Sequence, residues 1–333
     1  VMIGYYIHHQ GMGHRMRAEA IAASSTVPFV ALTSLADDAV PLSDSAFDEV
    51  ITLDRDDTAH CPVDVDAGGA LHWAPMRDRG LGGRMLQLAD FVRDRRPEAV
   101  VVDVSVEVTL LLRLLGVPVI VVALPGNRRD GPHRLAHQAA SAIIAAWPGD
   151  LYRPDWLTEF DAKTTYTGGI SRFDGRRVTF DERHRSDVLI LTGAGGSVGM
   201  PADSDEDTSR LSPGVMVRRL GGAYAPWTDD PWPYLCGAGT VVINAGQGSV
   251  ADVAAAQRPA IVVPEERPFD EQCCTADTLS RHQLSRVIPS WPVAQEWPSL
   301  LRESAAAGPD WSRWRTAGAA RRAAAAVESV ARS

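Results

Sequence analysis

Lysine is almost missing from this chain: of 33 basic residues, Lys163 is the sole lysine. Beside the abundance of Ala and Arg, that reads as coding bias and not as function. An excess of positive charge is missing too. The formal net charge of −9 argues against a nucleic-acid binder, which needs a basic face for phosphate contacts. Cysteine is scarce, at four residues (Cys61, Cys236, Cys273, Cys274) without metal-ligand spacing. Cys273 and Cys274 fall in a helical stretch where neighbours point apart, and the set reads as free thiols of a reducing compartment. No apolar run approaches the roughly 18 residues that cross a bilayer. An apolar strand over 2–7 leaves no room for a leader. The expectation is a cytoplasmic protein with no resident metal and no cofactor.

What is present is a soluble enzyme's composition, 45% hydrophobic and 23% charged over 333 residues, a length that suits two domains of roughly 150 residues each. Apolar runs at 2–7, 29–33, 50–53, 99–102 and 117–123 alternate with helical stretches at 13–24, 81–95 and 107–115. Continuous apolar strands separated by helices predict a parallel, doubly wound sheet covered on both faces. The pattern restarts with strands at 187–191, 215–218, 241–243, 260–263 and 284–287. The glycine-containing stretch 167–176 reads as the crossover, giving domains 1–166 and 177–309. An Ala/Arg-rich amphipathic helix spans about 311–330, within a C-terminal segment 310–333. Two such halves facing one another make a cleft, where ligands bind.

The stretch VVINAGQGSVADVAAAQRPAIVVPEERPFDEQ at 241–272 carries the most chemistry. A β-branched strand meets a turn at Asn244, Ala245, Gly246, Gln247 and Gly248, and a helix follows from Ser249. Glycines there bring backbone close to a ligand. The unpaired N–H groups and dipole of the helix start favour an anion, so a phosphorylated small molecule is expected. Ser249 caps the helix or bonds a phosphate oxygen. A second loop after a strand, Gly193, Gly195, Gly196 and Ser197, offers backbone N–H groups in the same way.

The first strand leads into Gly11, Gly13 and His14. No Gly-Lys-Ser/Thr follows, so this is not a Walker loop, and Met16 breaks the dinucleotide fingerprint. An imidazole at the helix start, at the sheet's C-terminal edge, can remove a proton near neutral pH. His8 and His9 compete for that role, and Arg15 and Arg17 read as solvated or structural, with a phosphate contact as the alternative. Asp103, Ser105 and Glu107 follow another strand and face the cleft, as acceptor-side or base-orienting groups or as helix caps. Pro125, Gly126 and Asn127 also follow a strand, with His133 nearby, and are candidates to line the cleft. In FDEQ, Asp270, Glu271 and Gln272 set carboxylates beside an amide, which suits sugar hydroxyls that donate and accept. Trp311 and Trp314 share a helix face and dock the last helix.

Three motifs together resemble the GT-B glycosyltransferases, close in pattern to the MurG-like, family 28 type group that uses nucleotide-sugar donors. They are QGMGHRMRAEAIA at 10–22, TGAGGS at 192–197, and NAGQGSVADVAAAQRPAIVVP through FDEQ at 244–272. The resemblance implies two Rossmann-like domains across a cleft, with the last helix returning to the first domain. It implies His14 as base toward an acceptor, Asp252 on the ribose where the family commonly has Glu, and Glu271 and Gln272 on the donor sugar. A UDP-sugar co-substrate, metal independence and inversion at the anomeric carbon come with it. The acceptor is left open as small molecule, glycan or lipid-linked, the last bringing peripheral membrane contact. A nucleotide-sugar hydrolase on the same architecture, a 2-epimerase and a non-catalytic nucleotide-sugar binding protein are the rival readings.

Overall fold

The computed structural model describes residues 1–9, 12–35, 46–179, 187–193, 215–222, 228, 230–293 and 295–333. Gly11, Gly195, Gly196 and Ser197 lie outside them.

The first sheet is built from β1 (Ile3–Ile7), β2 (Phe29–Thr33), β3 (Glu49–Thr52), β4 (Ala99–Asp103), β5 (Val119–Ala123), β6 (Ala142–Ala145) and β7 (Thr164–Tyr166). All seven run parallel in the order β3-β2-β1-β4-β5-β6-β7. Its strands bury both faces. Ile3, Tyr5, Ile7, Ala99, Val101 and Ile120 enter one cluster, while Tyr6, Val100, Val102 and Val121 enter the other, the period of two that a strand imposes. Helix α1 (Met12–Ala23) covers the first face; α2 (Arg79–Arg95) and α3 (Val106–Leu114) cover the second. Helix α4 (Gly131–Ala139) and short α5 (Asp155–Thr158) complete this half.

The second sheet is also parallel, in the order β12-β11-β10-β8-β9. Its strands are β8 (Val188–Leu191), β9 (Val217–Leu220), β10 (Thr240–Ile243), β11 (Ala260–Val262) and β12 (Arg286–Val287). Its described helices are α6 (Trp232–Gly237), α7 (Gln247–Ala256), α8 (Glu271–Arg281) and α9 (Trp297–Ala307). Among the described residues, no helix is long and apolar enough to cross a membrane.

Some local expectations need correction. Helix α4, β6 and β7 were not expected: β6 is a four-residue AIIA run and β7 is Thr-Thr-Tyr. Too short or too polar to show a period, they exist because they extend a sheet edge already formed. The expected long terminal helix is broken. Trp311–Trp314 form a 3₁₀ turn, Arg315 and Gly318 are left-handed, and α10 runs Ala319–Ala331. Trp311 and Trp314 are buried in the core of the second sheet, where Trp311 Nε1 donates to Arg258 O at 2.8 Å. They anchor the chain there before it leaves.

Helix α10 packs Ala319, Ala320, Ala323, Ala324 and Val327 into the core of the first sheet beside α1. Glu328 fixes its far end: Oε1 accepts from Ser25 Oγ at 2.8 Å, Thr26 N at 2.9 Å and Thr26 Oγ1 at 3.2 Å. Glu328→Ala removes three hydrogen bonds from donors that water can reach and should cost about 1 kcal/mol. The midpoint of urea unfolding measures it, and an unshifted midpoint would mean that alanine packing alone holds the helix.

Candidate functional site

In each sheet the strand order reverses once, and the loops at such a switch point leave a crevice for ligands. In the first sheet the switch lies between β1 and β4, adjacent parallel strands that pair Ile7 with Asp103. Helix α1, which follows β1, carries His14 and, one turn on, Arg17. In the second sheet the switch lies between β8 and β10. Thr192 and Gly193 follow β8; Asn244, Ala245 and Gly246 follow β10.

The segments that follow β1, β8 and β10 line a cavity of about 530 Å³, within the range of small-molecule sites. His14, Arg17 and Gly13 line it from one half. Gly193, Asn244, Gly246, Gln247, Gly248, Ser249, Asp252, Glu271 and Gln272 line it from the other, with Arg172 and Arg267. Of the described residues proposed from the sequence, Asp103 sits behind His14, Asp270 stands apart and exposed, and His8, His9, Pro125, Gly126, Asn127 and His133 also lie outside the wall.

His14 and Asp103 form a dyad, with Nδ1 donating to Oδ1 at 2.9 Å. His14 keeps some exposure while Asp103 has none. Arg17 grips the same carboxylate through Nε at 2.9 Å and Nη2 at 2.7 Å, and Tyr5 OH donates at 3.3 Å. Burial would raise the Asp103 carboxyl, but the Arg17 charge and His14 win, holding it well below the usual carboxylate range. A carboxylate fixed on Nδ1 selects the tautomer whose bare Nε2 can accept a proton.

Helix α7 begins two residues earlier than the sequence suggested. Gly246 is its N-cap and Gln247 its first residue, so Gly248 and Ser249 lie in the first turn and Ser249 is not the cap. Asn244 Oδ1 accepts from Gly246 N at 3.2 Å and shapes the entry. A Cβ added at Gly248 or Gly13 would meet nothing within 4 Å. Both glycines border the cavity, so the room they leave is room for a ligand.

Two expected sugar and ribose contacts also have partners within the protein. Gln272 Oε1 accepts from Ala245 N at 3.1 Å and Glu265 N at 2.9 Å, tying together the loops after β10 and β11. Its amide nitrogen is what it can offer a ligand. Asp252 is buried in the cavity wall, with Oδ1 accepting from Ser171 Oγ at 2.7 Å and Arg172 Nε 3.5 Å from Oδ2.

Ser105 and Glu107 turn out to shape loops. Ser105 caps α3. Glu107 Oε1 accepts from His72 N and Trp73 N, pinning the long connection between β3 and α2. That connection also wraps Arg84, fully buried and donating to Asp54 O, Asp56 Oδ2, Tyr6 OH and Ser34 Oγ. Two groups, His8 with His9 and Asp56, and His72 with Asp130 and His133, have metal-ligand proximity that the sequence did not signal. Each lies against a buried guanidinium that a cation would have to oppose: Arg84 on Asp56 at 2.7 Å and Arg128 on His133 at 3.1 Å.

No protein-family model matches the sequence, and no curated protein matches it. Solved structures do. The glycotransferase of kitacinnamycin matches with a TM-score of 0.70 at 14% identity, covering 99% of this chain and 98% of that one. The fold is GT-B. MurG of Acinetobacter baumannii matches with a TM-score of 0.61 at 16% identity over 98% of this chain and 99% of that one. A UDP-glucosyltransferase from Polygonum tinctorium capable of glucosylating indoxyl matches with a TM-score of 0.65 at 12% identity over 99% of each chain. At such identities the GT-B fold is what is shared.

Within this GT-B frame the sequence did not reveal the pairing of Arg17 with Asp103, nor Arg172. Arg17 lies three residues after His14, one turn along the same face, and that spacing was the available signal. Arg172 follows the crossover glycines and reaches Asp252 only because the two halves close on one another.

Burial lifts Asp252 to about 6, against Arg172 and Ser171, which pull it down. A raised carboxyl means that the native state holds the proton more tightly. This group's contribution to stability is therefore full below about pH 4 and lost as pH rises through about 6. Asp252→Asn cannot ionise, so its stability relative to the parent should rise between about pH 4 and about pH 6 and level off above that. Thermal melts of both proteins from about pH 4 to about pH 8 test this; a gap that does not change between about pH 4 and about pH 6 would contradict it.

Proposed function

We propose that this protein is a glycosyltransferase that moves a sugar from a nucleotide-diphosphate donor to an acceptor hydroxyl or amine. One observation carries the reading: the His14–Asp103 dyad and the open first turn of α7 border the same cavity from opposite halves of the chain. A GT-B fold shared with a UDP-glucosyltransferase supports it and favours UDP as the nucleotide.

The diphosphate is seated on the backbone N–H groups at Gln247, Gly248 and Ser249, whose dipole favours an anion. The donor sugar points toward Glu271 and Gln272, and the acceptor enters beside His14. As the acceptor oxygen bonds the anomeric carbon, the bond from that carbon to the diphosphate breaks and its electron pair leaves with the phosphate. His14 Nε2 takes the acceptor proton, and Asp103 stabilises the imidazolium. Charge building on the leaving group meets the end of α7 and the nearby guanidiniums of Arg172 and Arg267. Fixed dipoles and arginines can perform that task without a metal. In-line attack from the His14 side, opposite the diphosphate, inverts the anomeric carbon.

Calorimetry against a panel of UDP-, dTDP- and GDP-hexoses, followed by turnover with an acceptor panel, tests the reading. His14→Ala should lower kcat by at least about a hundredfold with little change in donor affinity. Gly248→Val should weaken nucleotide binding at least about tenfold without loss of fold, because it fills ligand space and not protein. Release of free sugar at full rate without acceptor would replace transfer by hydrolysis. Binding with no turnover, and no response to His14→Ala, would leave a non-catalytic binding protein. Retention in the product by NMR would remove the in-line geometry.

A further inference from the structure

Beside Glu271, the first half of the chain reaches across the seam and shapes the second. The loop after β5 brings Asn127 N to Phe269 O at 2.7 Å. Gly126 stands at φ 110°, where a Cβ would lie 2.2 Å from that same carbonyl. Phe269 and Asp270 are both left-handed, at φ 62° and 57°, a conformation that non-glycine residues keep only when their surroundings hold it. The guanidinium of Arg128 lies 4.7 Å from the Phe269 ring centroid and places Nη2 3.3 Å from Glu271 Oε2.

Arg128 is itself held firmly. It is 5% exposed. Nε donates to Pro125 O at 3.2 Å and Nη1 to His133 Nε2 at 3.1 Å. His133 Nδ1 donates to Asp130 Oδ2 at 2.6 Å, which leaves Nε2 as a bare acceptor for the arginine. Burial pulls the Arg128 guanidinium below its ordinary value, and Glu271 is the leading charge that opposes this. A planar fork with each arm committed is a rigid support, unlike the flexible carboxylate it holds.

We propose that Arg128 is a positioning residue for the donor sugar: from the opposite half it pins Glu271, so the sugar is recognised only when the two halves are clasped. The inference rests on the nucleotide-sugar reading above. Pairing through Oε2 orients the other carboxylate oxygen toward sugar hydroxyls before a donor arrives, which spares the ordering cost on binding. The nucleotide and its phosphates, seated on α7, do not depend on this clasp.

The test is calorimetry with uridine diphosphate and with UDP-glucose, or the matching pair for whichever hexose nucleotide the panel identifies. It uses the parent protein, Arg128→Gln, Arg128→Lys, Glu271→Gln and the double variant Arg128→Gln/Glu271→Gln. In Arg128→Gln, affinity for the diphosphate should stay within about twofold while affinity for the nucleotide sugar falls about tenfold. Arg128→Lys keeps the charge but not the fork and should recover part of the loss. Once Glu271 is Gln, Arg128→Gln should add nothing further. Equal weakening of both ligands would make Arg128 a structural residue only, and an undiminished effect without the Glu271 carboxylate would sever the proposed link; either overturns the inference. A parent protein that binds no member of the panel overturns the nucleotide-sugar reading itself.

Discussion

Asp103 is a charge with no exposed surface, and it persists there because four hydrogen bonds converge on its two oxygens. An unpaired carboxylate in that place would cost several kcal/mol or give up its charge. Its position follows from topology: β4 lies beside β1, so the last residue of one faces the helix that follows the other. Arg17 supplies the compensating charge and extends it, since Nη1 donates to Gln247 Oε1 at 2.9 Å in the opposite half. The carboxylate paired with His14 is thereby joined to the first turn of α7.

The cavity is closed by two such crossings. One joins Arg17 to Gln247, and the other joins Arg128 to Glu271. In both, an arginine of the first half holds a side chain from the start of a helix in the second. Arginine suits the task because its planar fork keeps several partners at once. The third cation, Arg172, comes from the crossover itself and meets Asp252 in the wall. The wall that receives a diphosphate in the proposed reaction is thus guanidinium-rich although the chain carries net negative charge.

Packing supports this arrangement from a distance. The crossover is locked at Gly168 and Gly169, where a Cβ would strike Arg315 O or the Trp314 ring. Trp311 and Trp314 hold the returning chain in the second core before α10 buries its alanines in the first. The chain therefore crosses between the two sheets twice, and each crossing limits how far the halves can part.

What the sequence determined by itself was local. Continuous apolar strands alternating with helices specified two parallel sheets, because such strands must be covered on both faces. Glycines at a strand-to-helix turn marked a helix start with exposed N–H groups, since those groups belong to the backbone. His14 was legible as a titratable group at a helix start, and Asp103 as an acid at a strand end. Short β6 and β7 and the break at Arg315 were not legible, because no period or proline marks them. Tertiary structure alone decided the partnerships: Arg17 with Asp103, Ser171 with Asp252, Gln272 with two loop amides, and Arg128 with Glu271. Nearly all join residues far apart in the chain, and polar side chains carry no periodicity that reveals which distant carboxylate or amide they will meet. Only the folded backbone, by bringing strand ends together at the switch points, selects those pairs.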